Sequence, residues 1–155
     1  MVAMPLTSIR PIEWRNGRVR LLDQTRLPHA VVYLDIADYR ELARAIVEMR
    51  IRGAPALGVA GAYGLALAAQ QIAVRDREGF LAALKVAAQE LEATRPTAVN
   101  LSWALKRLLS VAQQGATPDG IWAALLAEAQ RIAQEDEAGN HAIGRYGAEL
   151  ISEGA

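Results

Sequence analysis

Two arginines in this sequence stand just ahead of places where a helix must begin. Arg52 leads into Gly53, Ala54 and Pro55, and Arg95 leads into Pro96 and Thr97. Proline suits a first helical position, because its dihedral is already helical and its missing N–H is one that the first turn leaves unpaired anyway. Pro96 also disfavours the helical region for the residue before it, so Arg95 is expected in an extended turn ahead of a helix capped by Thr97. Free backbone donors, the positive end of a helix dipole and a guanidinium fork together suit a phosphate or a carboxylate. Gly53, without a side chain, leaves the approach open. On residue types alone, the two segments read equally well as tight connections with their arginines in water. Their repeated construction is what suggests two arginines converging on one phosphate.

A third polar feature lies towards the C-terminal end. Asp136 and Asn140 fall on the stripe set by Leu125 and Ile132 and continued by Ile143, Gly147 and Leu150. An acid and an amide thus occupy positions where an amphipathic helix calls for apolar groups. Buried polar groups need partners, so they are either a hydrogen-bonded structural pair or the wall of a site. Glu135 and Glu137 beside them read as a solvated face. His29 and His141 have no partner at ligand spacing, and the sequence contains no cysteine. That excludes disulfides, thiolate metal sites, iron–sulfur clusters and a cysteine nucleophile within these residues, and no metal or cofactor is expected. Trp14, Trp103 and Trp122 share no common spacing and read as core or interface anchors.

The elements that would position these groups follow from hydrophobic period. Ile9, Ile12 and Trp14 precede Asn16-Gly17, and Val19, Leu21 and Leu22 follow it, the pattern of a hairpin with a primed turn. The β-branched and aromatic run Ala30 to Ile36 supplies a third strand. From Asp38 the period turns helical. Asp38 with Glu41 makes a capping-box pattern, and Tyr39, Leu42, Ala43, Ile46 and Val47 share a stripe. Further helices are expected near Pro55; near Gly79, with Phe80, Leu84, Ala87, Ala88 and Leu91 inward; from Thr97, carrying Leu101, Leu105, Leu108 and Ala112 to a stop at Gly115; and from Thr117-Pro118-Asp119, a cap followed by proline and an acid. The expectation is an α+β fold: an antiparallel sheet of about three strands over residues 1–36, then a bundle of about five helices over 37–155.

Composition narrows the function. A chain of 155 residues with 52% apolar side chains can bury a core without staples. With 17 basic and 17 acidic residues and a formal charge of +0, no overall field draws nucleic acid or anionic lipid. Met1 to Arg10 carries no apolar run behind a basic cluster, so no secretory signal is expected and the chain is assigned to the cytoplasm. Gly53 to Val74 contains no charged residue and is long enough to span a bilayer. Its Ala and Gly content, Pro55, Gln70 and Gln71 favour instead a buried central helix, in which Gly58, Gly61 and Gly64 admit close neighbours.

In order along the chain come Leu22-Asp23-Gln24-Thr25 with Leu27-Pro28, then Arg52-Gly53-Ala54-Pro55-Ala56-Leu57-Gly58, then Thr94-Arg95-Pro96-Thr97-Ala98-Val99-Asn100-Leu101. Glu135-Asp136 follows, with Asn140, Ile143-Gly144 and Gly147-Ala148. Together these blocks resemble the N-terminal half of the S-methyl-5-thioribose-1-phosphate isomerase family of methionine salvage, with Leu57 where isoleucine is expected. The resemblance implies a small sheet plus helical bundle, and substrate and phosphate binding by Arg52, Gly53, Ala54 and Arg95. It implies aldose-to-ketose isomerisation by a cytoplasmic homodimer. It also places the catalytic cysteine and aspartate in a C-terminal Rossmann-like domain that would begin after Ala155, so these residues alone are expected to be inactive and to hold no catalytic group. Ribose-1,5-bisphosphate isomerase of archaea is a neighbouring alternative. The regulatory subunits of the translation-initiation exchange factor, which are protein-interaction modules, are an alternative of another class, and a generic helical interaction domain is a third. The intact arginine motifs favour the enzymes.

Overall fold

Three antiparallel strands, β1 (Ile12–Arg15), β2 (Arg18–Leu22) and β3 (Tyr33–Ile36), lie in the order β1-β2-β3 in the computed structural model, which describes residues 9–151. Asn16 and Gly17 both take positive φ, 52° and 75°, as a primed turn requires. The resulting register sets Ile12 opposite Leu21 and Trp14 opposite Val19. β3 starts later than the run from Ala30 suggests, because the Ala30 N–H is bonded to the Arg26 carbonyl in the turn that follows β2.

Five helices follow: α1 (Tyr39–Val47), α2 (Ala54–Gln71), α3 (Arg77–Ala93), α4 (Val99–Gln114) and α5 (Pro118–Ala148). The α+β architecture expected from the sequence is the one observed. α2 is the axis of the bundle, buried without interruption from Leu57 to Ala69 and packed against the other four helices as well as β1 and β2. Its small residues permit this. A side-chain carbon on Gly58 would lie 3.2 Å from the Asn100 carbonyl oxygen of α4, and one on Gly64 would meet Leu91 and Leu42. Among the described residues no helix is long and apolar enough to cross a membrane.

Four local expectations are corrected. The buried arc of α1 runs through Tyr39, Leu42, Ala45 and Ile46 and leaves Val47 exposed; α2, α3 and β3 are the elements that pack against this helix. α3 begins at Arg77 rather than near Gly79, since Asp76 is the cap and accepts from the Gly79 N–H at 2.7 Å. α4 is not capped by Thr97. The Ala98 N–H bonds back to the Arg95 carbonyl at 2.9 Å, so Thr97 is held inside a turn and Ala98 becomes a cap with no side-chain bond.

The fourth correction is the largest. Along α5 the core contacts end at Ile132 and Ala133, and from Gln134 on most of the helix is exposed. The stripe through Asn140, Ile143 and Leu150 therefore faces no core among the described residues, although the helix itself continues to Ala148. Ile143, Tyr146, Leu150 and Ile151 are all exposed.

Candidate functional site

Helix caps separate two of the five helices from the others. Asp38, Asp76 and Thr117 close the N-termini of α1, α3 and α5 by accepting from the Arg40, Gly79 and Gly120 N–H groups. α2 and α4 have Gly53 and Ala98 at the cap, and neither makes a side-chain cap bond. First-turn N–H groups without a cap are orphan donors at the positive end of the dipole. Gly58, in the second turn of α2, rests on Asn100 in the first turn of α4, so the two uncapped ends are neighbours. Each is preceded by an arginine singled out from the sequence.

The connection that delivers Arg52 is anchored from below. Asp23 is 4% exposed; it accepts from Thr25 through Oδ1 and from Arg50 Nη1 through Oδ2 at 3.2 Å. Arg50 Nε also donates to Glu48 at 2.6 Å, and these carboxylates, Glu48 foremost, hold its guanidinium more firmly charged than usual. The Gln24 N–H bonds the Arg50 carbonyl at 2.8 Å. With this loop fixed, Gly53 turns the chain into α2 at φ 99° and ψ 130°, a conformation that side-chain-bearing residues avoid. Arg52, Gly53 and Ala54 are all exposed. Arg95 is half-buried, and its Nη1 is enclosed with no hydrogen-bond partner among the described residues. Its turn is braced by Thr94 Oγ1, which donates to the Leu91 carbonyl at 2.6 Å, and by Ser102 Oγ, which donates to Glu92 at 2.5 Å.

Beside the two helix ends lies a hollow of about 240 Å³, walled by Pro55, Gly58 and Val59 of α2, Asn100 and Trp103 of α4, and Ile132, Glu135 and Asp136 of α5. Val59 and Asp136 also line a second hollow, about 520 Å³, which continues between α2, α5 and the start of β1 and is bridged at its rim by Arg10 and Glu137 at 3.2 Å. Asp136 thus stands between the two. It accepts from Asn140 Nδ2 at 3.3 Å, so the acid and the amide do form a pair, along an exposed helix face rather than in a core. Glu135 and Glu137 are exposed, as expected, but both are ion-paired. His29 and His141 are exposed as well.

An ionic network missed from sequence supports this wall. Arg107 of α4 donates to Glu128 at 2.5 Å and to both oxygens of Glu135 at 2.7 and 3.0 Å. The Arg107 hydrogen bonds hold the Glu135 carboxyl below the usual range, and Glu135 in turn raises the Arg107 guanidinium. Glu128 is 7% exposed, and Arg131 reaches its other oxygen at 3.2 Å. The available signal was an acid at position 128, between the inward residues Leu125 and Ile132.

The model of the initiation factor 2 subunit family matches residues 50–155 of this chain. The chain belongs to that family. Curated family relatives include the methylthioribose-1-phosphate isomerase of Syntrophotalea carbinolica, 54% identical over 96% of this chain and 44% of its own length. The isomerase of the same name from Geobacter metallireducens is 51% identical over 96% of this chain and 43% of its length. Among solved structures, 5-methylthioribose 1-phosphate isomerase from Pyrococcus horikoshii superposes with a TM-score of 0.89 at 39% identity, over 94% of this chain and 41% of the other. Translation initiation factor eIF-2B subunit delta from A. fulgidus superposes with a TM-score of 0.88 at 43% identity, over 95% and 43%. The chain therefore spans rather less than half the length of these relatives.

Proposed function

We propose that these residues form the N-terminal, substrate-binding part of an aldose–ketose isomerase that converts S-methyl-5-thioribose 1-phosphate to S-methyl-5-thioribulose 1-phosphate in methionine salvage. The observation that carries the reading is the pairing of two uncapped helix N-termini, α2 and α4, each led by an arginine. Arg52 and Arg95 hold the phosphate, while the backbone at Gly53 and Ala54 approaches it closely. Arg95 Nη1, enclosed and without an acceptor among the described residues, is suited to an anionic oxygen. The sugar's phosphate sits on its anomeric carbon, so the ring cannot open by simple mutarotation. Catalysis must assist opening and then move hydrogen between C2 and C1. General acid–base groups for that step, worth about 10²- to 10⁴-fold, belong in this reading to a C-terminal Rossmann-like domain of a cytoplasmic homodimer, and residues 1–155 alone are inactive.

The test is a chimaera in which this chain replaces the matching region of the S. carbinolica isomerase. Turnover of methylthioribose 1-phosphate is the expected result, and a folded chimaera without turnover overturns the reading. Arg52→Ala and Arg95→Ala should each lower kcat/KM by about 10- to 100-fold, the loss of a charged hydrogen bond to the ligand. Unchanged kinetics would remove either arginine from the site.

The eIF-2B delta neighbour favours a second reading, a non-catalytic protein-interaction module. Stable association with initiation-factor subunits, by a chimaera that turns nothing over, would select it.

A further inference from the structure

The smaller hollow mixes two kinds of lining. Asn100, Glu135 and Asp136 are polar and suited to sugar hydroxyls, whereas Pro55, Val59, Ile132 and the Trp103 indole are apolar. Trp103 differs from the other tryptophans. Trp14 and Trp122 pack against the core, while Trp103 is 48% exposed. It is nonetheless held in place. The Arg107 guanidinium lies 5.2 Å from its ring centroid, and that guanidinium is pinned by Glu128 and Glu135. A large ring that is fixed in position yet left half in water at the lip of a cavity is built as a contact surface.

The substrate named for the isomerase relatives carries a phosphate at one end of a five-carbon sugar and a methyl thioether at the other. With the phosphate at the α2 and α4 N-termini, the thioether must lie about one sugar length away. Trp103 is four residues along α4 from Val99, an axial rise of about 6 Å, which matches that length. Sulfur against the edge of an aromatic ring is a favourable contact.

We infer that the apolar side chains lining this hollow, Trp103 with Pro55, Val59 and Ile132, recognise the 5-alkylthio group of the sugar phosphate, with Trp103 the specificity-determining residue and Arg107 its positioning residue. This inference rests on the isomerase reading above and adds to it the means of selecting a thioether over a hydroxyl at C5.

The experiment uses the active chimaera and two ligands that differ only at that carbon: methylthioribose 1-phosphate as substrate and ribose 1-phosphate as competitor. Trp103→Ala should raise KM for the thioether substrate about tenfold and leave kcat within about twofold, the scale set by one small apolar group in a pocket. The inhibition constant for ribose 1-phosphate should not move. Trp103→Phe should restore most of the lost KM, and Arg107→Gln should shift KM selectively in the same direction. Equal weakening towards both ligands, or no change in KM for Trp103→Ala, would overturn the inference while leaving the isomerase reading intact. A wild-type chimaera without turnover would overturn both, before any variant is made.

Discussion

Gly53 shows how a single residue can be chosen for its backbone alone. A side-chain carbon there would meet nothing within 4 Å, yet φ is 99°, so the cost of any other residue is conformational rather than steric. Gly53→Ala should destabilise the chain by about 1 to 3 kcal/mol, read from the urea midpoint at unchanged slope. It should also impair phosphate binding by redirecting the start of α2. Arg107 makes the opposite case, in which the side chain carries everything. Arg107→Ala leaves Glu128, 7% exposed, with only Arg131 for company, and breaking such a pair costs about 3 kcal/mol. A thermal melt that did not move would show that water replaces the lost Arg107 contact at Glu128. At this scale the turn into α2 was legible in the sequence, because Gly53 and Pro55 state the local geometry there. Arg50 and Asp23 were not, since no spacing rule connects residues brought together only by the fold.

Helix ends and helix crossings are where the elements determine the site. Gly58 lets α2 and α4 approach until a backbone oxygen of one is in reach of the other, and that approach is what makes the two uncapped termini neighbours. Gly58→Ala should push the first turn of α4 away, because the atom it would press on belongs to the backbone. We expect a loss of phosphate affinity larger than the loss of stability, measured by titrating the chimaera with inorganic phosphate beside a denaturation curve. Equal effects on both would mean that the contact serves packing alone. The hairpin, the three-stranded sheet and the five helices were readable from period and punctuation, with Asn16-Gly17 and Thr117-Pro118 the clearest signals. The cap of α4 was not, because the Ala98-to-Arg95 hydrogen bond closes a turn that a capping rule does not anticipate. Periodicity also marked a stripe on α5 through Leu150 but carried no information on what covers it past Ile132.

For the molecule as a whole, stability should depend on pH through groups that bridge elements. Burial, reinforced by the hydrogen bond to Glu90 at 2.8 Å, pushes the Tyr39 phenol up to about 12. A raised value favours the neutral form in the folded state, so this stabilisation is complete below pH 10 and is lost as the pH climbs from 10 to 12. Allowing for solvent at half-exposed Glu90, it amounts to about 1 to 2 kcal/mol. Tyr39→Phe should flatten that part of an alkaline unfolding profile, and an unchanged profile would assign the alkaline loss to other groups. Glu135, held low by Arg107, acts at the other extreme: its contribution is present above the ordinary carboxylate range and fades as the pH falls through the lowered value. The two halves of α5 should differ in lifetime as well as in burial. The amides of 122–132 should open only when the bundle opens, whereas those of 134–148 lie on a mostly exposed stretch containing Gly139, Gly144 and Gly147, each costing about 1 kcal/mol of helix propensity. In residues 1–155 alone, deuterium should enter the distal half orders of magnitude sooner, a helix whose persistence is lent to it by whatever it touches.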